Sequence, residues 1–197
     1  MFPIAGVLLP RMVLPLQVFE ERYKVLMDVC MAGDQRFGVT MIERGSEVGG
    51  GDIRAMVGTM AKIASVEELD DGRWNVTVIG TKRFRVRQWL NDDPYPKAML
   101  EEWPDEPWNP SVDVRSDDVI RQLRHVLTLA VEAGLSADPM VILDDDPTEL
   151  SYEISILSPF GPLDRQKLLA APGPSERLAL ALELLGEQED IMRARMS

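Results

Sequence analysis

The chain has 197 residues, 45% of them hydrophobic and 27% charged, the balance of an ordinary soluble globular protein able to bury one large core or two small ones. Its net charge of -12 lies in the second half: residues 1–100 carry 13 basic and 13 acidic side chains, residues 101–197 carry 8 and 20. Such a chain is repelled by polyphosphate and by anionic membrane surface, and its single cysteine, Cys30, excludes an intrachain disulfide and a thiolate metal cluster.

A lone thiol fits a reducing cytoplasm. The apolar N-terminus lacks a basic leading region and is interrupted by Pro3, Pro10, Arg11 and Pro15, so it does not read as a secretory signal. No window approaches the ~18 apolar residues of a membrane span. A soluble, cytoplasmic protein is expected.

In chain order, Phe2-Pro3-Ile4 and Val13-Leu14-Pro15-Leu16 read as short extended segments whose prolines suit a sheet edge. Phe19, Tyr23, Leu26, Met27 and Cys30 share one face of a helix stopped by Gly33, which predicts a buried, structural thiol. A strand over residues 37–43 leads into a glycine-rich stretch from Arg44 to Asp52. That stretch matches neither the P-loop nor the dinucleotide-binding pattern, and reads as a long, flexible hairpin loop open to contact. Residues 58–86 are the organising stretch. Two β-rich runs flank Asp71-Gly72, the strongest short-range hairpin signal, and a second turn at Gly80-Thr81-Lys82 completes a meander. Arg83, Arg85 and Arg87 then alternate with Phe84 and Val86, placing three arginines on one strand face beside Lys82. That face reads as the solvent side of a half-buried sheet, or as a basic strip that meets an acidic peptide, a partner or the chain's own acidic half.

A further strand is expected from Tyr95 to Trp103. Three prolines between Pro104 and Pro110 then mark a boundary. Beyond it the period is helical: Val119, Ile120, Leu123, Val126, Leu127, Ala130 and Val131 form a stripe ended by Gly134. Asp146-Pro147-Thr148-Glu149 reads as a capping box, Gly161-Pro162 opens a short helix, and Pro174-Ser175-Glu176 opens the last one.

Catalytic chemistry finds no foothold in this pattern. The only histidine, His125, lies within the helical stripe and is expected to pack partly buried. No G-x-S-x-G elbow is present, and one His with one Cys cannot make a zinc site. No cofactor and no metal are expected.

The ordered motifs resemble the N-terminal substrate-binding domain of the ATP-dependent Lon protease in standalone form. They are Leu14-Pro15-Leu16 with Phe19-Glu20 and Arg22-Tyr23; Phe37-Gly38-Val39 with Ile42-Glu43 and Gly45; Val57-Gly58-Thr59; Asp71-Gly72-Arg73; Gly80 with Arg83-Phe84-Arg85-Val86; and Ser151-Tyr152 followed by Asp164, Gln166-Lys167 and Leu168-Leu169. The resemblance covers nearly the whole chain. It implies an α+β fold: a PUA-like β pseudo-barrel holding one early helix, followed by a C-terminal helical bundle. The expected division is a barrel over residues 1–103, a proline-rich linker over 104–113 and a helical subdomain over 114–197. The family's Walker A loop is missing. Gly173-Pro174-Ser175 is similar to the surroundings of its peptidase nucleophile, but no lysine after Lys167 can complete a Ser-Lys dyad.

The resemblance therefore implies a non-catalytic module for unfolded or degron-bearing polypeptides, with a protease or chaperone as a possible further partner. The candidate contact residues are Met12, Val13, Met41 and Met56, apolar and near an expected sheet edge, with Arg83, Arg85 and Arg87. An RNA-associated PUA-like protein and a small-molecule binder on the same scaffold are the alternatives.

Overall fold

A computed structural model describes residues 1–45, 47 and 51–196. Of the glycine-rich loop expected up to Asp52, residues 46 and 48–50 lie outside the described residues. The chain divides into two compact units, Met1–Pro104 and Asp105–Ser197.

Among the described residues the first unit holds six strands and one helix: β1 (Phe2–Ile4), β2 (Val13–Val18), α1 (Glu21–Ala32), β3 (Arg36–Arg44), β4 (Ile53–Glu68), β5 (Trp74–Trp89) and β6 (Ala98–Glu102). The sheet order is β1-β3-β4-β5-β2, with β6 added on β5, so the two proline-bearing strands are its two ends. β1 runs parallel to β3, and the other pairs are antiparallel. Tyr23, Leu26, Met27 and Cys30 of α1 pack into a core with Phe2, Leu16, Val18, Phe37, Val39, Val76 and Val78, which closes the curled sheet around the helix. Cys30 is buried there, its Sγ 3.3 Å from the Arg36 carbonyl, and burial pushes its thiol pKa up. Phe19, expected on the same helical face, precedes the helix and is exposed.

The Asp71-Gly72 hairpin has a three-residue form. The Gly72 N–H bonds the Leu69 carbonyl at 2.8 Å, the Leu69 N–H bonds the Arg73 carbonyl at 2.8 Å, and Gly72 has φ 77°. This is a turn followed by one left-handed residue, in which glycine is needed once and not twice. A side chain at Gly72 would meet only the tip of Lys24, so Gly72→Val tests conformation alone. It is expected to cost about 1 kcal/mol or more in urea unfolding, and an unchanged midpoint would refute the assignment.

The second turn is absent. β5 runs straight through Gly80-Thr81-Lys82, which form a bulge instead: Ala61 pairs with Gly80 but Thr59 pairs with Arg83, leaving one extra residue on β5. The bulge exchanges the buried face. Val76 and Val78 point at α1, whereas Phe84 and Val86 join a separate cluster with Met1, Met60, Trp89 and Leu100. The strand expected from Tyr95 is shortened to Ala98–Glu102.

The second unit is helical: α2 (Ser116–Glu132), α3 (Pro147–Leu157), α4 (Pro162–Leu169) and α5 (Pro174–Met196). Val119, Leu123 and Val126 of α2 pack with Leu150 and Ile154 of α3, Leu168 of α4, and Leu178, Ala181 and Leu185 of α5. Asp146 caps α3 as expected, accepting from the N–H groups of Thr148 and Glu149, while its own N–H donates to Asp144 at 2.9 Å. No helix of the described residues is long and apolar enough to cross a membrane.

Candidate functional site

Among the described residues β2 has one neighbour, β5, and its other side is a free edge. The Gly80 N–H donates to the Met12 carbonyl at 2.9 Å. Continued along the register, the alternation of an antiparallel ladder commits Leu14, Leu16 and Val18 to β5 and turns the main-chain groups of Val13, Pro15 and Gln17 away from the sheet. Pro15 thus occupies a position where β5 requires no N–H. The side chains of Val13, Pro15 and Gln17 are exposed, Val13 at 59%.

A groove of about 400 Å³ runs beside this edge, lined by Phe2, Ile4 and Gly6 from the β1 end and by Leu14, Pro15, Leu16, Gln17 and Phe19 from the β2 end, with Glu47. One groove touched by both ends of the sheet means that the sheet curls without sealing. The groove is the seam of the barrel. A smaller hollow continues it past Phe19, Glu20 and Tyr23. At its rim Glu20 pairs with Arg22 at 3.1 Å, and the Arg22 guanidinium lies 4.5 Å from the Tyr23 ring centre. Burial raises the Tyr23 phenol to about 12, which keeps it neutral at physiological pH. The seam therefore presents apolar walls, unpaired main chain and a thin acidic rim.

The expected contact residues are not one patch. Met41 is a correction: it is 3% exposed, because β3 lies between β1 and β4 and is covered on both faces. Met12 is partly buried against the barrel core. Met56 is 49% exposed but sits on β4 next to Val57, which pairs with Arg85, whereas Val13 pairs with Ile79. Six residues along β5 separate those levels by about 20 Å.

Within the arginine strip, Arg83 is a second correction, while Arg85 and Arg87 are exposed as expected. Arg83 is buried rather than solvent-facing, 4.2 Å from the Trp103 ring centre, and Arg85 stacks on the same ring at 3.6 Å. Lys82 pairs with Glu102 at 2.5 Å, and Arg87 pairs with Glu101. The strip meets acidic residues of the chain's own second half, Glu101 and Glu102 on the neighbouring β6. Sequence periodicity placed the arginines on one face and could not show that Arg83 would be buried beside Trp103 while Arg85 and Arg87 stay exposed.

In the second unit the notable group is Arg177, an arginine with no exposed surface. It donates from Nε to the Leu168 carbonyl at 3.0 Å and from Nη1 to Ser151 Oγ at 2.7 Å. Its Nη2 pairs with Asp105, and its plane lies 3.9 Å from the Tyr152 ring centre. Tyr152 donates its hydroxyl to the other Asp105 oxygen at 2.7 Å. Ser175 is buried, its Oγ accepting from the Asn109 N–H at 2.8 Å. His125, expected to be partly buried, is 43% exposed on α2, its Nε2 3.2 Å from Glu189. Among the described residues no His, Cys, Asp or Glu group is placed to hold a metal ion.

An open-seamed barrel that encloses one helix, joined to a helical unit, defines the class of Lon-type N-terminal domains. The model of the ATP-dependent protease La (LON) substrate-binding domain matches residues 1–187, and the chain belongs to that family. It is 28% identical over 192 residues to Lon protease 2 of Myxococcus xanthus, and 23% identical over 217 residues to a LON peptidase N-terminal domain and RING finger protein of Schizosaccharomyces pombe. Those alignments cover 95% and 92% of this chain but only 23% and 43% of the relatives, so the chain spans a quarter to a half of their length. The match is to the substrate-binding part and not to the protease or ATPase parts. Among solved structures, the Lon N-terminal domain protein of Xanthomonas campestris superposes with TM-score 0.65 at 26% identity, covering 92% of this chain and 95% of that one. The N-terminal domain of Mycobacterium avium complex Lon protease gives 0.67 at 17% identity, a likeness of fold.

Proposed function

We propose that this chain is a non-catalytic, cytoplasmic module that binds unfolded or degron-bearing polypeptides, taking an extended segment along β2 at the barrel seam. The observation that carries this reading is the free edge of β2 beside an apolar groove. Main-chain bonds to Val13, Pro15 and Gln17 would read little sequence, while Phe2, Leu14 and Phe19 reward apolar side chains, the combination suited to many unfolded clients. Met12 and Val13 belong to this surface, and Met56 offers a separate apolar contact on β4. Ser175, enclosed and capped by the Asn109 N–H, supports a structural role for the Gly-Pro-Ser turn. The pairing of Lys82 and Arg87 with β6 leaves little for RNA phosphate to neutralise.

The test is fluorescence anisotropy with a labelled, reduced and carboxymethylated protein that cannot fold. Val13→Pro/Gln17→Pro removes the remaining outward N–H donors of β2 and leaves the bonds to β5 in place. We expect binding at least tenfold weaker with the folded far-UV spectrum retained, a comparable loss for Phe19→Ser, and the probe recovered uncleaved. Equal binding by a folded Val13→Pro/Gln17→Pro chain would refute strand addition. Equal binding by Phe19→Ser as well would remove the seam from consideration and leave Met56 to be tested by Met56→Ser.

A further inference from the structure

The connection between α2 and α3, residues 133–146, is held in place yet shows its apolar side chains to water. Val141 and Leu143 pack against the helical core, whereas Met140 and Ile142, alternating with them, are 76% and 94% exposed. The main chain is pinned at both ends of this run: the Met140 N–H donates to Asp138 Oδ1 at 2.9 Å and the Asp144 N–H to Glu153 Oε2 at 2.8 Å. Val131 and Leu135, where α2 gives way to the connection, are exposed too. Scattered apolar residues on a surface are ordinary. Here two large ones, two positions apart, are fixed outward by the anchoring of their neighbours, and they gain nothing within the chain.

Charge defines the complement. Residues 125–164 contain eight acidic side chains and no lysine or arginine, so no basic group within this stretch offsets the field around Met140 and Ile142. Glu132, Asp138, Asp145 and Asp146 are exposed along the same connection. Charged and apolar complementarity together select a partner and speed its encounter.

We infer that this connection is a docking surface for a second protein, one whose contact face is apolar and rimmed by lysine or arginine. Met140 and Ile142 enter the apolar centre, and the surrounding carboxylates meet the basic rim. A second copy of this chain would bring acid against acid, and an anionic membrane would be repelled. The surface shares no residue with the seam and binds by different chemistry.

A 12-residue peptide of alternating leucine and lysine supplies that complement in minimal form, with an alternating leucine and glutamate peptide as its opposite. Anisotropy titrations of the 197-residue chain are expected to show binding to the first peptide that weakens at least fivefold between 50 and 300 mM salt. It should weaken at least tenfold in Met140→Ser/Ile142→Ser. Glu132→Gln/Asp138→Asn/Asp145→Asn should lose most of the salt dependence, and the seam variant Val13→Pro/Gln17→Pro should bind as wild type does. Equal affinity for the two peptides, or undiminished binding by Met140→Ser/Ile142→Ser, would overturn the inference. So would a concentration-dependent dimer that this double variant abolishes, which would assign the surface to a second copy.

Discussion

Arg177→Ala is expected to destabilise the C-terminal unit by about 3–5 kcal/mol, the cost typical of removing one partner from a buried, hydrogen-bonded ion pair. The guanidinium has no exposed surface and bonds three different parts of the unit: Asp105 before the helices, Ser151 on α3 and Leu168 on α4. Truncation would leave the Asp105 carboxylate, the Ser151 hydroxyl and the Leu168 carbonyl without that donor, and would empty the space beside the Tyr152 ring. Arg177→Lys should recover little, because an ammonium cannot present the same planar fork. Urea unfolding followed by far-UV circular dichroism measures the loss. In an Asp105→Ala background the cost of Arg177→Ala should shrink, since the pair is already broken. A loss below 1 kcal/mol in the wild-type background would show that the network is incidental.

Gly80→Ala carries the second large effect. A methyl group there would stand 2.1 Å from the Leu9 carbonyl oxygen and 2.9 Å from its carbon. Those are backbone atoms in a buried segment, and the Gly80 carbonyl and N–H are already bonded to Arg11 and Met12 at 2.8 and 2.9 Å. Neither side can move without breaking the start of β2. A cost of about 3 kcal/mol is expected, the upper part of the range for overpacking, against about 1 kcal/mol for Gly72→Val, where only the backbone angle is strained. If thermal unfolding ranks the two substitutions the other way, the close approach of Leu9 to β5 is wrong. A Gly80→Ala chain that folds should also bind polypeptide less well, because β2 is positioned from this point.

Local chemistry made much of the fold readable. Pro3 and Pro15 mark the two ends of the sheet because an edge is where a missing N–H does least harm. The α2 stripe and the Asp146 cap depend on residues a few positions apart, and both appear in the structure, except that Val131, expected at the end of the stripe, is exposed where α2 ends. The failures share a cause, which is that contacts distant in sequence decide burial. The extra residue of β5 opposite Met60 reverses the inside and outside of a strand without any change in its alternation. Met41 is enclosed by strands on either side of β3. The seam, assembled from residues 2–6 and 14–19, has no pattern of its own until the sheet curls. Arg177 leaves no signal in the sequence beyond its position beside Leu178 and Ala181 on the buried side of α5, where it bonds Leu168 and Ser151.

The Arg177 tie joins positions 72 residues apart, and α5 packs against α2, α3 and α4. During synthesis the barrel can close as soon as β6 has left the ribosome, since its strand pairs are all complete by residue 102. The helical unit has no such early stopping point: α2, α3 and α4 must wait for α5, with their apolar faces open to whatever is nearby. The two units thus mature at different times, N-terminal first, and the seam of the barrel would be complete while the second half of the chain is still unfolded.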